Sequence, residues 1–373
     1  MTVDVDESRD GPMPPAEKRL KLVDCDVHPI IGNVDEALSP YLSHAWRRHF
    51  EHKGGVRAGS SLSPRFAHPN GFIIRPDAAD PSGAVGGSNP HHVVTDHLDR
   101  YGIDAAILND LNPGAFAAVL AAPDESIALC TAFNSHYIDH WLPVDPRFTM
   151  AISVPSQDPA AAAAEVERSG AAGQVCAVAL PLMNTLAGQR YYYPVYEAAE
   201  ALGLPILLHV TGTDVVYQGA PTVTGLPESY VERYTGLSQI GAANLTSIIF
   251  SGTLERFPGL RFAFVEYGFS WALPLMWRMD KAWQETRLET PWVRKPPSEY
   301  VRERIRFTTQ PMDEPATRKH LYGLIEMLGP EVLMFSTDYP HWDNDSPEHV
   351  LRGLPDDAKS RIFADNAAAF FPL

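Results

Sequence analysis

KLVDCDVHP (residues 21–29), LPILLHVTG (204–212), LRFAFVEYG (260–268) and VLMFSTDYPHWD (332–343) are short apolar runs. They end on Asp26 and His28, on His209, on Glu266, and on Asp338 and His341. Runs this short, bounded by turn residues, read as strands buried on both faces, as in parallel sheets. Working outward, the same pattern predicts strands at 21–27, 104–109, 148–154, 176–182, 204–210, 261–267, 304–309 and 332–338. Helical stretches fall between and after them, at 92–101, 124–141, 158–169, 192–203, 236–256, 270–284, 315–328 and 358–370. Parallel neighbours need a crossover, so this alternation predicts an α/β chain folded as a distorted TIM (β/α)8 barrel. A doubly wound open sheet is the rival, but no G-x-G-x-x-G or Walker A glycine pattern anchors a nucleotide. In a barrel, polar residues where the strands stop are where chemistry is placed.

Local punctuation supports these boundaries. Gly203 and Pro205 separate a helix from the fifth strand, and Pro258 and Gly259 do the same before the sixth. Asp124 and Asp158 stand where helix N-caps are needed. Two connections are too long for plain turns, 44–91 after strand 1 and 211–235 after strand 5. Both leave C-terminal strand ends, so lid-like, substrate-shaping insertions are expected over one mouth. Residues 1–19 are polar and proline-punctuated and read as a disordered leader, leaving 20–373 as a single barrel domain.

A formal charge of −16 argues against nucleic acid or an anionic membrane surface as the partner. No stretch is long and apolar enough to span a bilayer, and no secretory signal is visible, so a cytoplasmic location is expected. Cys25, Cys130 and Cys176 are far apart and form no C-x-x-C pair, which leaves them as small apolar fillers.

In DCDVH, period-two alternation puts residues 24, 26 and 28 on one strand face, so Asp26 and His28 can reach one cation. His209 caps an apolar strand. Asp338 follows VLMFST, where an ionised carboxylate is costly to bury without a metal or basic partner. Together these residues point to a metal site of mixed carboxylate and imidazole ligands: zinc first, then iron or manganese, as one or two ions. Pro340 stiffens the turn that carries His341 towards the site. Asp24 is assigned a structural or supporting role. Tyr267, Trp271, Phe72 and Tyr217 are candidate substrate contacts, with barrel-to-helix packing the alternative for Tyr267 and Trp271. His91, His92 and His97 read as a polar loop entering a helix. HWDNDSP lacks the spacing of a calcium loop, and no G-x-S-x-G supports a serine nucleophile.

DCDVHP, ILLHVTG, GTLERFPGLRFAFVEYGFSWALPLMWRMD, FSTDYPHWD and IFADNAAAFF together resemble the amidohydrolase superfamily. The match is to its amidohydrolase 2 branch, which includes aminocarboxymuconate-semialdehyde decarboxylase. The resemblance spans about residues 21–371. It implies a catalytic metal at the C-terminal mouth, with Asp26 and His28 as the strand-1 ligands, His209 from strand 5 and Asp338 from strand 8. Two departures stand out. The decarboxylase members usually have His-x-His on strand 1, where this chain has Asp26-Val27-His28. They also carry a catalytic histidine at the end of strand 6, where this chain has Glu266, a usually anionic acceptor that could instead join the ligands of a second cation. The expectation is therefore a metal-dependent hydrolase using metal-activated water on an ester, thioester or amide-type carbonyl of a small substrate with an apolar body. Asp338 would be the base, with His341 and Glu266 assisting. A non-oxidative decarboxylase or hydratase is the alternative, then a non-catalytic binding barrel. A homodimer is the base expectation.

Overall fold

The computed structural model describes residues 21–56, 73–210 and 227–373. The leader, Phe72, Tyr217 and the central parts of both long insertions lie outside the described residues.

Eight strands pair in sequence order as one parallel sheet: β1 (Val23–Val27), β2 (Ala105–Asn109), β3 (Phe148–Ser153), β4 (Val175–Ala179), β5 (Ile206–His209), β6 (Phe262–Val265), β7 (Ile305–Thr308) and β8 (Leu333–Met334). The last strand is shorter than expected. Beyond Met334 the chain leaves the ladder with β7 and bonds instead to β1, through Cys25 N–H to Phe335 C=O (3.0 Å) and His28 N–H to Tyr339 C=O (2.8 Å). That seam closes the barrel, as the alternating sequence pattern requires.

Alternation along the strands separates two apolar layers. Val23, Cys25, Ile107, Ala151, Ala177, Leu207, Ala263, Val265 and Met334 cluster inside the barrel. Their neighbours Leu108, Ile152, Val178, Leu208, Phe264 and Phe307 face the helices. Small inner residues leave little void, and each large outer side chain contributes about 1.5–3 kcal/mol by leaving water. Ala364, Ala367, Phe370 and Phe371, near the end of the chain, join the inner cluster and plug the barrel.

The helices start largely where their signals stand. The Asp158 carboxylate accepts the Ala161 N–H (3.0 Å) ahead of the helix Pro159–Ser169. Asp124 is not a cap: Pro123 opens that helix, and Asp124 lies in its acidic first turn, favourably placed on the helix dipole. The expected helix 236–256 begins earlier, at Tyr230, with Ser229 as cap, and breaks at Gly252, whose φ is 78°. In the Trp-rich helix Ala272–Thr286, Met276, Met279 and Trp283 are buried while Trp277 is exposed. No helix among the described residues is long and apolar enough to cross a membrane.

One local departure positions the site. Asp24 to Val27 in β1 spans the same stretch of ladder as Ala106 to Leu108 in β2, so β1 carries an extra residue there. A bulge of this kind reverses the facing of the residues beyond it. Asp24 and Asp26 therefore do not share a face, contrary to the alternation read from the sequence.

Candidate metal centre

Asp24 turns outward and is consumed by donors. Its Oδ1 accepts the N–H groups of Asp26 (3.2 Å) and Thr337 (2.9 Å); its Oδ2 accepts the Thr337 hydroxyl (2.5 Å) and His97 Nε2 (2.8 Å). His97 is fully buried and stacked on Tyr339, with ring centroids 4.3 Å apart, so it is no loop residue. Asp24 thus ties the bulge in β1 to the segment leading into Asp338.

Asp26 and His28 turn inward. His28 Nδ1 donates to the Asn109 carbonyl (2.8 Å), which fixes its Nε2 towards the mouth, 2.7 Å from Asp338 Oδ1 and 3.4 Å from Asp26 Oδ2. His209 donates from Nδ1 to the Val210 carbonyl and presents Nε2 3.0 Å from Asp26 Oδ2 and 3.5 Å from Glu266 Oε2. His341 donates from Nδ1 to Asp338 Oδ1 at 2.7 Å. Two amides hold the far carboxylate oxygens: Asn109 Nδ2 donates to Asp26 Oδ1 (3.2 Å) and Gln310 Nε2 to Asp338 Oδ2 (3.1 Å).

Backbone geometry aims the remaining carboxylate. Strict alternation would send Glu266 towards the helices with Phe262 and Phe264. Its φ of 64° puts it in the left-handed region, and its carboxyl meets His209 inside the mouth. Asp338 has a φ of 65°. Left-handed backbone is unfavourable for residues with a Cβ, and such strain concentrates at functional sites.

The electrostatics follow from crowding. Burial alone would raise the Asp26 carboxyl, but His28 and His209 overcome it and hold the group well below its ordinary range. Asp338 is likewise lowered against burial, by His341 and His28. Burial would lower His28, yet Asp26 and Asp338 raise it well above the usual imidazole value. Glu266 moves the other way: burial, then Asp338 and Asp343, push it well above the ordinary carboxyl value. Asp343 is pushed up to about 7 by burial and Asp338, and accepts the Tyr234 hydroxyl at 2.6 Å.

Ligand atoms of Asp26, His28 and His209 lie within 4.8 Å of one another, as do those of His28, Asp338 and His341, and those of Glu266, Asp338 and Asp343. Among the described residues, no lysine or arginine pairs with Asp26, Asp338 or Glu266; their ionic partners are histidines. Convergent buried carboxylates and imidazole nitrogens without a basic side chain fit a divalent cation.

The sequence-derived set Asp26, His28, His209, Glu266, Asp338 and His341 therefore comes together. Tyr267 is 3% exposed and Trp271 is half-buried; both pack against Gly241 of the helix Tyr230–Phe250, Trp271 also edge-on to Phe307. Tyr230, Tyr234 and Trp342 pack together, and the Tyr234 hydroxyl donates to Asp343. Asn109, Gln310 and Asp343 were missed. Their one signal was position, since Asn109 and Gln310 end or follow strands and Asp343 follows His341.

No curated protein matches the sequence. Solved structures match the fold. An amidohydrolase from Mycobacterium avium subsp. paratuberculosis K-10 gives a TM-score of 0.68 at 19% identity, over 95% of this chain and 98% of that one. The 5-carboxyvanillate decarboxylase of Sphingomonas paucimobilis gives 0.64 at 21%, over 95% and 99%. A dihydroxybenzoic acid decarboxylase from Polaromonas sp. JS666, with bound manganese and the inhibitor 2-nitroresorcinol, gives 0.61 at 17%, over 94% and 96%. The family described as amidohydrolase matches residues 23–373, nearly the whole barrel, and the chain belongs to that family.

Proposed function

We propose that this amidohydrolase is a cation-dependent, non-oxidative decarboxylase of a planar aromatic or unsaturated carboxylate. This reverses the order of the two readings reached from the sequence, which placed hydrolysis first. The observation that carries it is the placement of Glu266, turned into the mouth by its φ of 64° and 3.5 Å from His209. The sequence made Glu266 an anionic acceptor where decarboxylases carry a proton-donating histidine. Buried beside Asp338 and Asp343, its carboxyl is driven towards the neutral acid and can donate. Fold relatives that are aromatic-acid decarboxylases support the same reading.

Asp26, His28, His209 and Asp338 would hold the cation. When bound, it fixes oxygen atoms of the substrate and draws off the charge that develops as carbon dioxide departs. Glu266 gives its proton to the carbon that loses the carboxylate; the electrons of the broken carbon–carbon bond become the new carbon–hydrogen bond. Glu266 is then reprotonated from water. His341 keeps Asp338 oriented by its 2.7 Å hydrogen bond. Tyr230, Tyr234 and Trp342 offer ring faces for the substrate's planar body. Manganese or zinc suits the mixed oxygen and nitrogen set.

Metal-assisted hydrolysis remains the second reading, favoured by Asp338, which stays ionised and can take a proton from water. The manganese-loaded protein, offered hydroxylated benzoates alongside aryl esters, thioesters and amides, separates the two. Carbon dioxide release supports the proposal. Alcohol, thiol or amine release without carbon dioxide selects hydrolysis.

A further inference from the structure

Asp26 and Asp338 are held in the same way from opposite sides of the mouth. Asp26 Oδ1 accepts from Asn109 Nδ2 at 3.2 Å, while its Oδ2 faces His28 Nε2 and His209 Nε2 at 3.4 and 3.0 Å. Asp338 Oδ2 accepts from Gln310 Nε2 at 3.1 Å, while its Oδ1 lies 2.7 Å from His28 Nε2 and also accepts from His341 Nδ1 at 2.7 Å. Asn109 ends β2 and is 1% exposed; Gln310 follows β7 and is fully buried. Neither amide ionises, so their hold on the carboxylates persists across pH.

We propose that Asn109 and Gln310 form a pair of positioning residues that restrict Asp26 and Asp338 to one ligating oxygen each, and thereby select the cation. This rests on the cation-holding role given above to Asp26, His28, His209 and Asp338. A carboxylate with one oxygen occupied by an amide N–H offers the metal the other alone. Two such oxygens and two imidazole nitrogens make a small ligand set, which suits zinc or manganese completed by water or substrate. Calcium takes six to eight oxygen ligands, commonly including carboxylates that bind through both oxygens. Capping the outer oxygens therefore disfavours calcium while keeping positions open for substrate. In the same residue, the Asn109 carbonyl holds His28 Nδ1 at 2.8 Å. That bond belongs to the backbone, so changing the side chain leaves it in place and isolates the effect on Asp26.

The test compares the full-length chain, stripped by chelator, with Asn109→Ala and Gln310→Ala. Manganese and calcium affinities are measured by calorimetry, and coordination number by the visible absorption of the cobalt-loaded protein. In the unaltered protein, manganese binds far more tightly than calcium, and the cobalt bands have the intensity of a four- or five-coordinate ion. In each variant, manganese affinity falls about 10–100-fold, the usual effect of losing a partner that orients a ligand. Calcium affinity holds or rises, and the cobalt absorption weakens as a carboxylate becomes bidentate. A merely structural role lowers both affinities together and leaves the spectrum unchanged, which overturns the proposal. Gln310→Met keeps the length of the side chain without the donor and adds no charge, so it gives the same answer if an alanine variant fails to fold. An unaltered protein that binds one manganese but does not discriminate against calcium defeats this proposal alone. One that binds no divalent ion defeats the proposed function as well.

Discussion

His28 and His341 lie ring on ring, their centroids 4.4 Å apart and their planes 22° apart, and both reach the same Asp338 oxygen at 2.7 Å. One histidine follows the first strand and the other the last, so the closure of the barrel creates the pair. His28 cannot give Nε2 to both Asp338 and a metal. Cation binding therefore leaves His341 as the donor to that oxygen.

Adding manganese to chelator-stripped protein is expected to raise its Tm. A ligand at about 100 times its Kd adds about 2.7 kcal/mol to stability, provided the unfolded chain does not bind it. Differential scanning fluorimetry with and without manganese checks this; an unchanged Tm counts against a shared cation site.

Glu266→Gln keeps the shape of the side chain and removes the transferable proton. Turnover should drop about 10²–10⁴-fold, the usual contribution of a placed acid, with manganese stoichiometry unchanged. Steady-state kinetics together with metal analysis report both. Near-normal kcat would take the proton donor's role away from Glu266.

The positive φ of Glu266 makes a comparison that ignores chemistry. Glu266→Gly should be more stable than Glu266→Ala by about 1 kcal/mol, because only glycine occupies the left-handed region without cost to its side chain. Urea unfolding of the two metal-free variants measures the difference. Equal stability would show that the turn is unstrained.

Asp343 supplies a pH dependence. Its carboxyl is pushed up to about 7, whereas an unfolded aspartate titrates near 3.9. A carboxyl raised on folding supports the fold fully below the unfolded value and loses that support as pH climbs to the folded one. In the metal-free protein, Asp343→Asn should stabilise more at pH 8 than at pH 5, by about 2–3 kcal/mol at about 1.36 kcal/mol per unit. Denaturation curves at the two pH values decide, and the opposite ordering refutes the sign.

Asp24→Ala should cost about 3–5 kcal/mol, since the buried carboxylate is the acceptor for Asp26, Thr337 and His97. Thermal unfolding of the metal-free variant gives the number, and a loss under 1 kcal/mol would mean that water replaces Asp24 freely.

The barrel was legible because buried parallel strands leave an unmistakable apolar run, and each of the eight appears within a few residues of its expected place. Asp26, His28, His209, Glu266, Asp338 and His341 were legible because each ends such a run. Other features are set by tertiary contacts that leave no periodic trace. Asn109 matters through a carbonyl and an amide pointing at two different residues, and Asp343 through a neighbour on a distant helix. His97 read as part of a polar loop entering a helix because its partner, Asp24, lies far back in the sequence. Tyr267 and Trp271 adjoin Glu266 along the chain, and their packing against Gly241 depends on a helix from another part of the sequence. The upward push on the Glu266 carboxyl has a similar origin, since burial and neighbours from other segments set it rather than residue type.

The supernumerary residue in β1 makes the orientation of Asp26 a matter of counting rather than composition. Deleting Cys25 would restore an unbroken ladder with β2 and leave Asp24 and Asp26 adjacent, still facing opposite sides. A β1 of unchanged length that lost only the irregularity would turn both acids to one side, keeping every acid and imidazole in the sequence and still losing the centre in space.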